Sequence, residues 1–201
     1  MRIIFLDVDG VLNNNYTTDR YNGFIGIDQK LVDRLKILYD KSNEEEETRI
    51  VVSSSWRYDK IRKDYISDGC YDYLKKRLGD MEVIGETPDL KRGWSRASEV
   101  KAWLEKFREK FNVKSFVILD DEQFDFAEQG LSKYTILTNF RIGLTQADAE
   151  NALLILQGKE KKKLWADLID VEDDPKGNIV LPWPEDRESN QVLDYGSEDE
   201  E

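Results

Sequence analysis

The sequence predicts an α/β fold, a parallel sheet flanked by helices, and three observations predict it. Residues 3–6, 49–52 and 115–119 are short, mostly apolar, β-rich runs with the composition of strands buried on both faces. Longer stretches with helical apolar spacing separate them, the alternation that builds parallel sheets. The first and last runs close on paired acids, Asp7 with Asp9 and Asp120 with Asp121, at the strand ends where open α/β sheets place their ligands.

Ile3, Ile4, Phe5 and Leu6 make the first strand, and Gly10 lets the chain turn sharply after it. Two carboxylates so close repel one another and are costly to desolvate, so a hard cation such as Mg²⁺ is their natural companion. Residues 13–26 are polar and aromatic and read as a loop or small hairpin beside the acids, with Tyr16 and Tyr21 as candidate substrate contacts. Asp28 then N-caps a helix to about residue 41, whose core side is Leu31, Leu35 and Leu38. Glu44 to Glu47 form a solvated charge run.

The second strand ends in Ser53-Ser54-Ser55-Trp56-Arg57, with Ser55 expected to cap the next helix. Residues 57–78 read as two short helices broken near Asp68-Gly69 and stopped at Gly79. Residues 81–84 suit a short strand, and Thr87-Pro88 begins a loop. Lys91, Arg92 and Arg96 lead into Val100, Trp103, Leu104, Phe107 and Phe111, the strongest amphipathic helix in the chain. A cation at a helix start opposes the dipole, yet together with that helix terminus it attracts an anion.

After the third strand and its acids, residues 134–138 read as a further strand. Gly143-Leu144-Thr145 followed by Asp148 then reads as a turn and N-cap, and Ala149, Ala152, Leu153 and Leu156 pack the last helix. This places one domain at residues 1–157. Residues 158–201 hold 6 Lys and Arg against 14 Asp and Glu, an acidic C-terminal extension expected to be partly disordered.

Composition excludes several kinds of chemistry. The chain has no histidine, which removes Ser-His-Asp and Cys-His catalysis, His-ligated zinc and imidazole proton transfer. Its single cysteine, Cys70, rules out an internal disulfide and a multi-cysteine zinc site and reads as a partly buried small residue. Acid and base work therefore falls to carboxylates. No apolar run has the length of a membrane span, and Asp7 and Asp9 interrupt the N-terminal run too early for a signal peptide, so a cytoplasmic location is expected. The net charge of -12 opposes a broad basic nucleic-acid surface, although residues 1–157 carry only -4 of it.

The string FLDVDGVLN resembles the first motif of the haloacid dehalogenase (HAD) superfamily, most of whose members are Mg²⁺-dependent phosphatases. The string SSSWR is similar to that of a small HAD subgroup found in multidomain RNA-repair proteins. The resemblance covers residues 1–157 and implies a Rossmann-like, HAD-like parallel sheet. By position it implies Asp7 as the nucleophile and Asp9 as the general acid and base. Ser53, with Ser54 as its alternative, would bind a phosphoryl oxygen. Arg96 would hold the nucleophile and phosphoryl group, with Lys91 and Arg92 as rivals.

Mg²⁺ would be held by Asp7, the backbone carbonyl of Asp9, Asp120 and Asp121, with Asp125 competing for the place of Asp121. Arg57 would be either a phosphate contact or half of a surface ion pair. An acid at position 9 disfavours halide displacement, because the dehalogenases themselves resemble the phosphatases but lack it.

The implied activity is phosphomonoester hydrolysis through an aspartyl-phosphate. The intervals between motifs leave no room for a separate cap domain, only a minimal one around residues 65–78. An open site of that kind admits a large phosphorylated substrate such as a polynucleotide end or a phosphoprotein. The competing readings are a non-catalytic phosphate- or metal-binding module and a phosphatase of small metabolites or nucleotides. A receiver-type signalling domain is disfavoured because the basic residue precedes the late acid pair. A glycosyltransferase DxD motif would normally lie deeper in the chain.

Overall fold

The apolar runs become the strands of one five-stranded parallel sheet in a computed structural model that describes residues 1–61, 69–90 and 95–162. Its strands are β1 (Arg2–Leu6), β4 (Thr48–Val52), β5 (Val83–Glu86), β6 (Ser115–Asp120) and β7 (Thr135–Leu137). They lie side by side in the order β5-β4-β1-β6-β7. The order reverses at β1, so the crevice at its carboxyl end is the switch point where such sheets bind ligands.

Strand alternation divides the core. Ile4, Leu6, Ile50, Val52, Val117 and Leu119 face one layer of helices, α1 (Gln29–Glu45), α3 (Cys70–Leu78) and α5 (Gln146–Leu156). Ile3, Phe5, Val51 and Ile118 face the opposite layer, where α4 (Arg96–Phe107) contributes Ala97, Val100, Trp103 and Leu104. The result is an α/β, Rossmann-like sheet whose two faces are covered by these four helices. No helix among the described residues is long and apolar enough to cross a membrane.

Local chemistry accounts for most element ends. Asp28 caps α1 by accepting from the Lys30 amide at 2.9 Å. Thr145 and Asp148 form a reciprocal capping box on α5. The expected cap Ser55 is replaced by Ser54, whose hydroxyl accepts from the Trp56 amide and starts a 3-10 turn at Ser55–Arg57 leading into the short α2 (Tyr58–Ile61). The amphipathic stretch ends as a helix at Phe107, while Phe111 folds back to stack on Trp103 at 6.1 Å.

Residues 13–26 hold a hairpin, β2 (Arg20–Tyr21) with β3 (Phe24–Ile25). Asn22 and Gly23 both take positive φ in its two-residue turn, the conformation that suits hairpin twist. Tyr21 stacks on Tyr73 of α3 at 4.3 Å, and the Tyr73 hydroxyl donates to Asp19, so the hairpin is tied to the helix layer. Since α3 buries Cys70, Tyr71, Leu74 and Leu78 in the main core, it belongs to the body rather than to a cap. Residues 62–68, which include the start of the expected minimal cap, lie outside the described residues, as do Lys91, Arg92 and the acidic stretch from residue 163.

Candidate active site

Register builds the site. Leu6 pairs with Val52 of β4 and with Leu119 of β6. The next residues along, Ser53, Asp7 and Asp120, therefore sit abreast at the strand ends, held by the bonds from Ser53 N to Leu6 O (2.8 Å) and from Asp7 N to Leu119 O (3.0 Å). Alternation puts all three on the face of α4, whose first residue is Arg96. Arg96 answers both acids, at 3.6 Å from Asp7 and 3.7 Å from Asp120.

Asp121 completes the acid group. One carboxylate oxygen each from Asp7, Asp120 and Asp121 lie within 4.8 Å of one another. Burial is the first reason that the carboxyl groups resist ionisation: it pushes Asp7 up to about 6 against the pull of Arg96 and the Ser54 hydroxyl. Burial and then Glu122 push Asp121 up to about 6, and burial with the neighbouring Asp7 raises Asp120 as well. A site that holds three mutually repelling acids in place needs more positive charge than Arg96 supplies.

The donor set is all oxygen, which suits a hard cation such as Mg²⁺ and disfavours a soft metal. The buried Ser53 Oγ, Arg96 Nη1 and Asp120 Oδ2 all lack a hydrogen-bond partner among the described residues. Buried polar atoms are rarely left so, and a cation together with an oxyanion would satisfy all three.

Asp9 has a different place. Its carboxylate accepts from Asn13 Nδ2 at 2.9 Å on one oxygen and from Trp56 Nε1 at 3.0 Å on the other, outside the three-acid group. Asn13 also accepts from the Gly10 amide at 2.9 Å, so one side chain sets both the turn and the acid. Of the rivals for the last acid, Asp125 is engaged elsewhere: it accepts from Ser95 Oγ at 2.6 Å and from the Ala97 amide at 3.2 Å, at the start of α4. The Ser54 hydroxyl is the one that favours the ionised form of Asp7, leaving Ser53 as the unpartnered one.

Arg57 is neither a phosphate contact nor a surface ion pair. It is fully buried and pairs with Glu99 of α4 at 2.5 Å, while donating to the carbonyls of Ser54 at 2.5 Å and Thr87 at 3.1 Å. Among the candidate substrate contacts, Tyr16 is 76% exposed, whereas Tyr21 is spent on the stack with Tyr73. The contributions of Trp56 and Asn13 were missed in the sequence. Asn13 carried a signal, since an Asn three residues after a turn glycine can bond back to the turn.

Gly10 closes the arrangement. Its φ of +69° disfavours any side chain, and a Cβ there would fall on the Asp121 carboxylate. Thr138 Oγ1 fixes the same turn by donating to Gly10 O at 2.7 Å. Gly10→Ala is expected to cost about 1–2 kcal/mol in thermal or urea unfolding, because strain and the displacement of Asp121 add. A variant as stable as the parent would show that the turn tolerates a Cβ.

A family model described as the HAD domain in Swiss Army Knife RNA repair proteins matches residues 3–149. No curated protein and no solved structure matches the chain.

Proposed function

The chain belongs to this HAD domain family, and from that premise we propose that it is a Mg²⁺-dependent phosphomonoesterase acting on the phosphorylated end of a polynucleotide. The observation that carries the reading is the buried group of Asp7, Asp120 and Asp121 facing Arg96, with three polar atoms awaiting partners. Asp7, Asp120 and Asp121 would hold the metal ion, with the backbone carbonyl of Asp9. When bound, the ion neutralises charge on the acids and on the phosphoryl oxygens.

In the first step Asp7 attacks phosphorus in line, a P–O bond forms to one of its carboxylate oxygens, and the bond to the leaving oxygen breaks. Asp9 gives its proton to that oxygen, releasing an alcohol. In the second step water attacks the aspartyl-phosphate while Asp9 takes a proton from it, and inorganic phosphate leaves with Asp7 regenerated. Ser53 and Arg96 grip the phosphoryl oxygens in both steps.

Three considerations support a large substrate. The family description names RNA repair proteins. No cap domain stands over the strand ends among the described residues. The rim carries exposed Tyr16, Phe140 and Ile142 on loops joined by the bond from Asn15 N to Phe140 O at 3.3 Å, and exposed aromatic faces are what unpaired bases stack on.

The test is phosphate release with Mg²⁺ from oligonucleotides bearing terminal phosphates, phosphopeptides, nucleotides and sugar phosphates. Preference for the oligonucleotides is expected, and inactivity on every substrate would overturn the reading. The metal assignment has its own check by calorimetry. Asp121→Asn is expected to weaken Mg²⁺ binding at least about tenfold. Asp125→Ala is expected to leave binding within about twofold and to cost about 1 kcal/mol of stability, through loss of its bonds at the α4 N-terminus.

A further inference from the structure

Trp56 is buried, 6% exposed, and yet its indole N–H is not directed into the core. It donates to Asp9 Oδ2 at 3.0 Å, while Asn13 Nδ2 donates to Oδ1 at 2.9 Å. Each carboxylate oxygen is thus fixed by one donor and retains a second lone pair for a travelling proton. We propose that Trp56 is a positioning residue for proton transfer, its indole N–H holding the Asp9 carboxylate clear of the Asp7, Asp120 and Asp121 group and aimed at the leaving oxygen.

This rests on the phosphatase reading given above. Without a fixed donor on Oδ2, rotation about the side chain would let Asp9 swing toward the cation site and Arg96, where a carboxylate is drawn electrostatically. The anchor is itself braced: the Trp56 ring lies 6.2 Å from that of Tyr73, which stacks on Tyr21 of the hairpin. The hairpin and the acid are in this way joined through one line of aromatic rings. Proton transfer is sensitive to such placement, since a misaligned acid loses the advantage of proximity.

The experiment compares Trp56→Phe with the parent on two substrates, an alkyl phosphate and p-nitrophenyl phosphate. An alkoxide leaves only with a proton, whereas p-nitrophenolate leaves without much help. The variant is expected to lose about 10- to 100-fold in kcat/KM on the alkyl phosphate, a part of the usual gain from general acid catalysis. On p-nitrophenyl phosphate it is expected to lose no more than about threefold, and Asp9→Asn is expected to show the same asymmetry more strongly. Equal losses on both substrates, or none on either, would overturn the proposal, because a merely structural role does not distinguish leaving groups.

Should Trp56→Phe not fold, the indole N–H resonance of Trp56 decides, compared between the parent protein and Asp9→Asn. It is expected to shift and to exchange faster with solvent in Asp9→Asn, and an unmoved resonance would overturn the proposal. An inactive parent protein would instead sink the phosphatase reading itself.

Discussion

Asp7→Asn is expected to reduce phosphate release by about 10⁴-fold or more, because the amide cannot form the covalent intermediate of the proposed mechanism. Acid quenching and mass measurement should trap a phosphorylated parent protein and no phosphorylated variant. The same substitution is expected to stabilise the protein when divalent ions are chelated. Burial raises Asp7 from 3.8 to about 6 in the folded chain, so folding disfavours its charged form.

The contribution of Asp7 to stability is therefore greatest below about pH 4, falls as pH rises between 4 and 6, and stays lower above that range. Asn mimics the protonated acid, so Asp7→Asn should be more stable than the parent by roughly 2–3 kcal/mol at pH 7.5 and nearly equal to it at pH 4. A metal-free parent protein as stable as the variant at pH 7.5 would contradict the charge argument. Activity retained above about a hundredth would contradict the nucleophile.

Arg57→Met is expected to cost about 3–5 kcal/mol in urea unfolding. The substitution leaves the Glu99 carboxylate buried without its partner and strips donors from the carbonyls of Ser54 and Thr87. The double variant Arg57→Met with Glu99→Met should recover most of the loss, since the penalty lies in the stranded charge more than in the pair. Activity should fall as well: the Ser54 hydroxyl favours the ionised form of Asp7, and Glu99 lies one helical turn from Arg96. A single variant within about 1 kcal/mol of the parent would mean that the pair is solvated in solution.

What the sequence determined by itself was the sheet and the positions of most of the residues gathered at the candidate site, for a local reason. Apolar runs of strand length buried on both faces leave few alternatives, and side chains that follow them emerge together at one edge of a parallel sheet. Asp7, Ser53, Asp120 and Arg96 were legible because each sits at or just beyond the end of a strand or at the head of a helix, and those ends are written in neighbouring residues. Family motifs then attached chemistry to the positions.

Only the tertiary structure decided which groups face one another across long separations in the chain. Arg57 looked like a surface charge until Glu99, 42 residues away, met it in the core. Trp56 and Asp9 meet across 47 residues, and nothing near either announces the bond. Asp125 and Asp121 were interchangeable by spacing, and the packing of α4 assigned one to its N-terminus and the other to the acid group. Periodicity is a property of one segment, whereas a buried polar contact is chosen by the desolvation cost that two segments share when they close on each other.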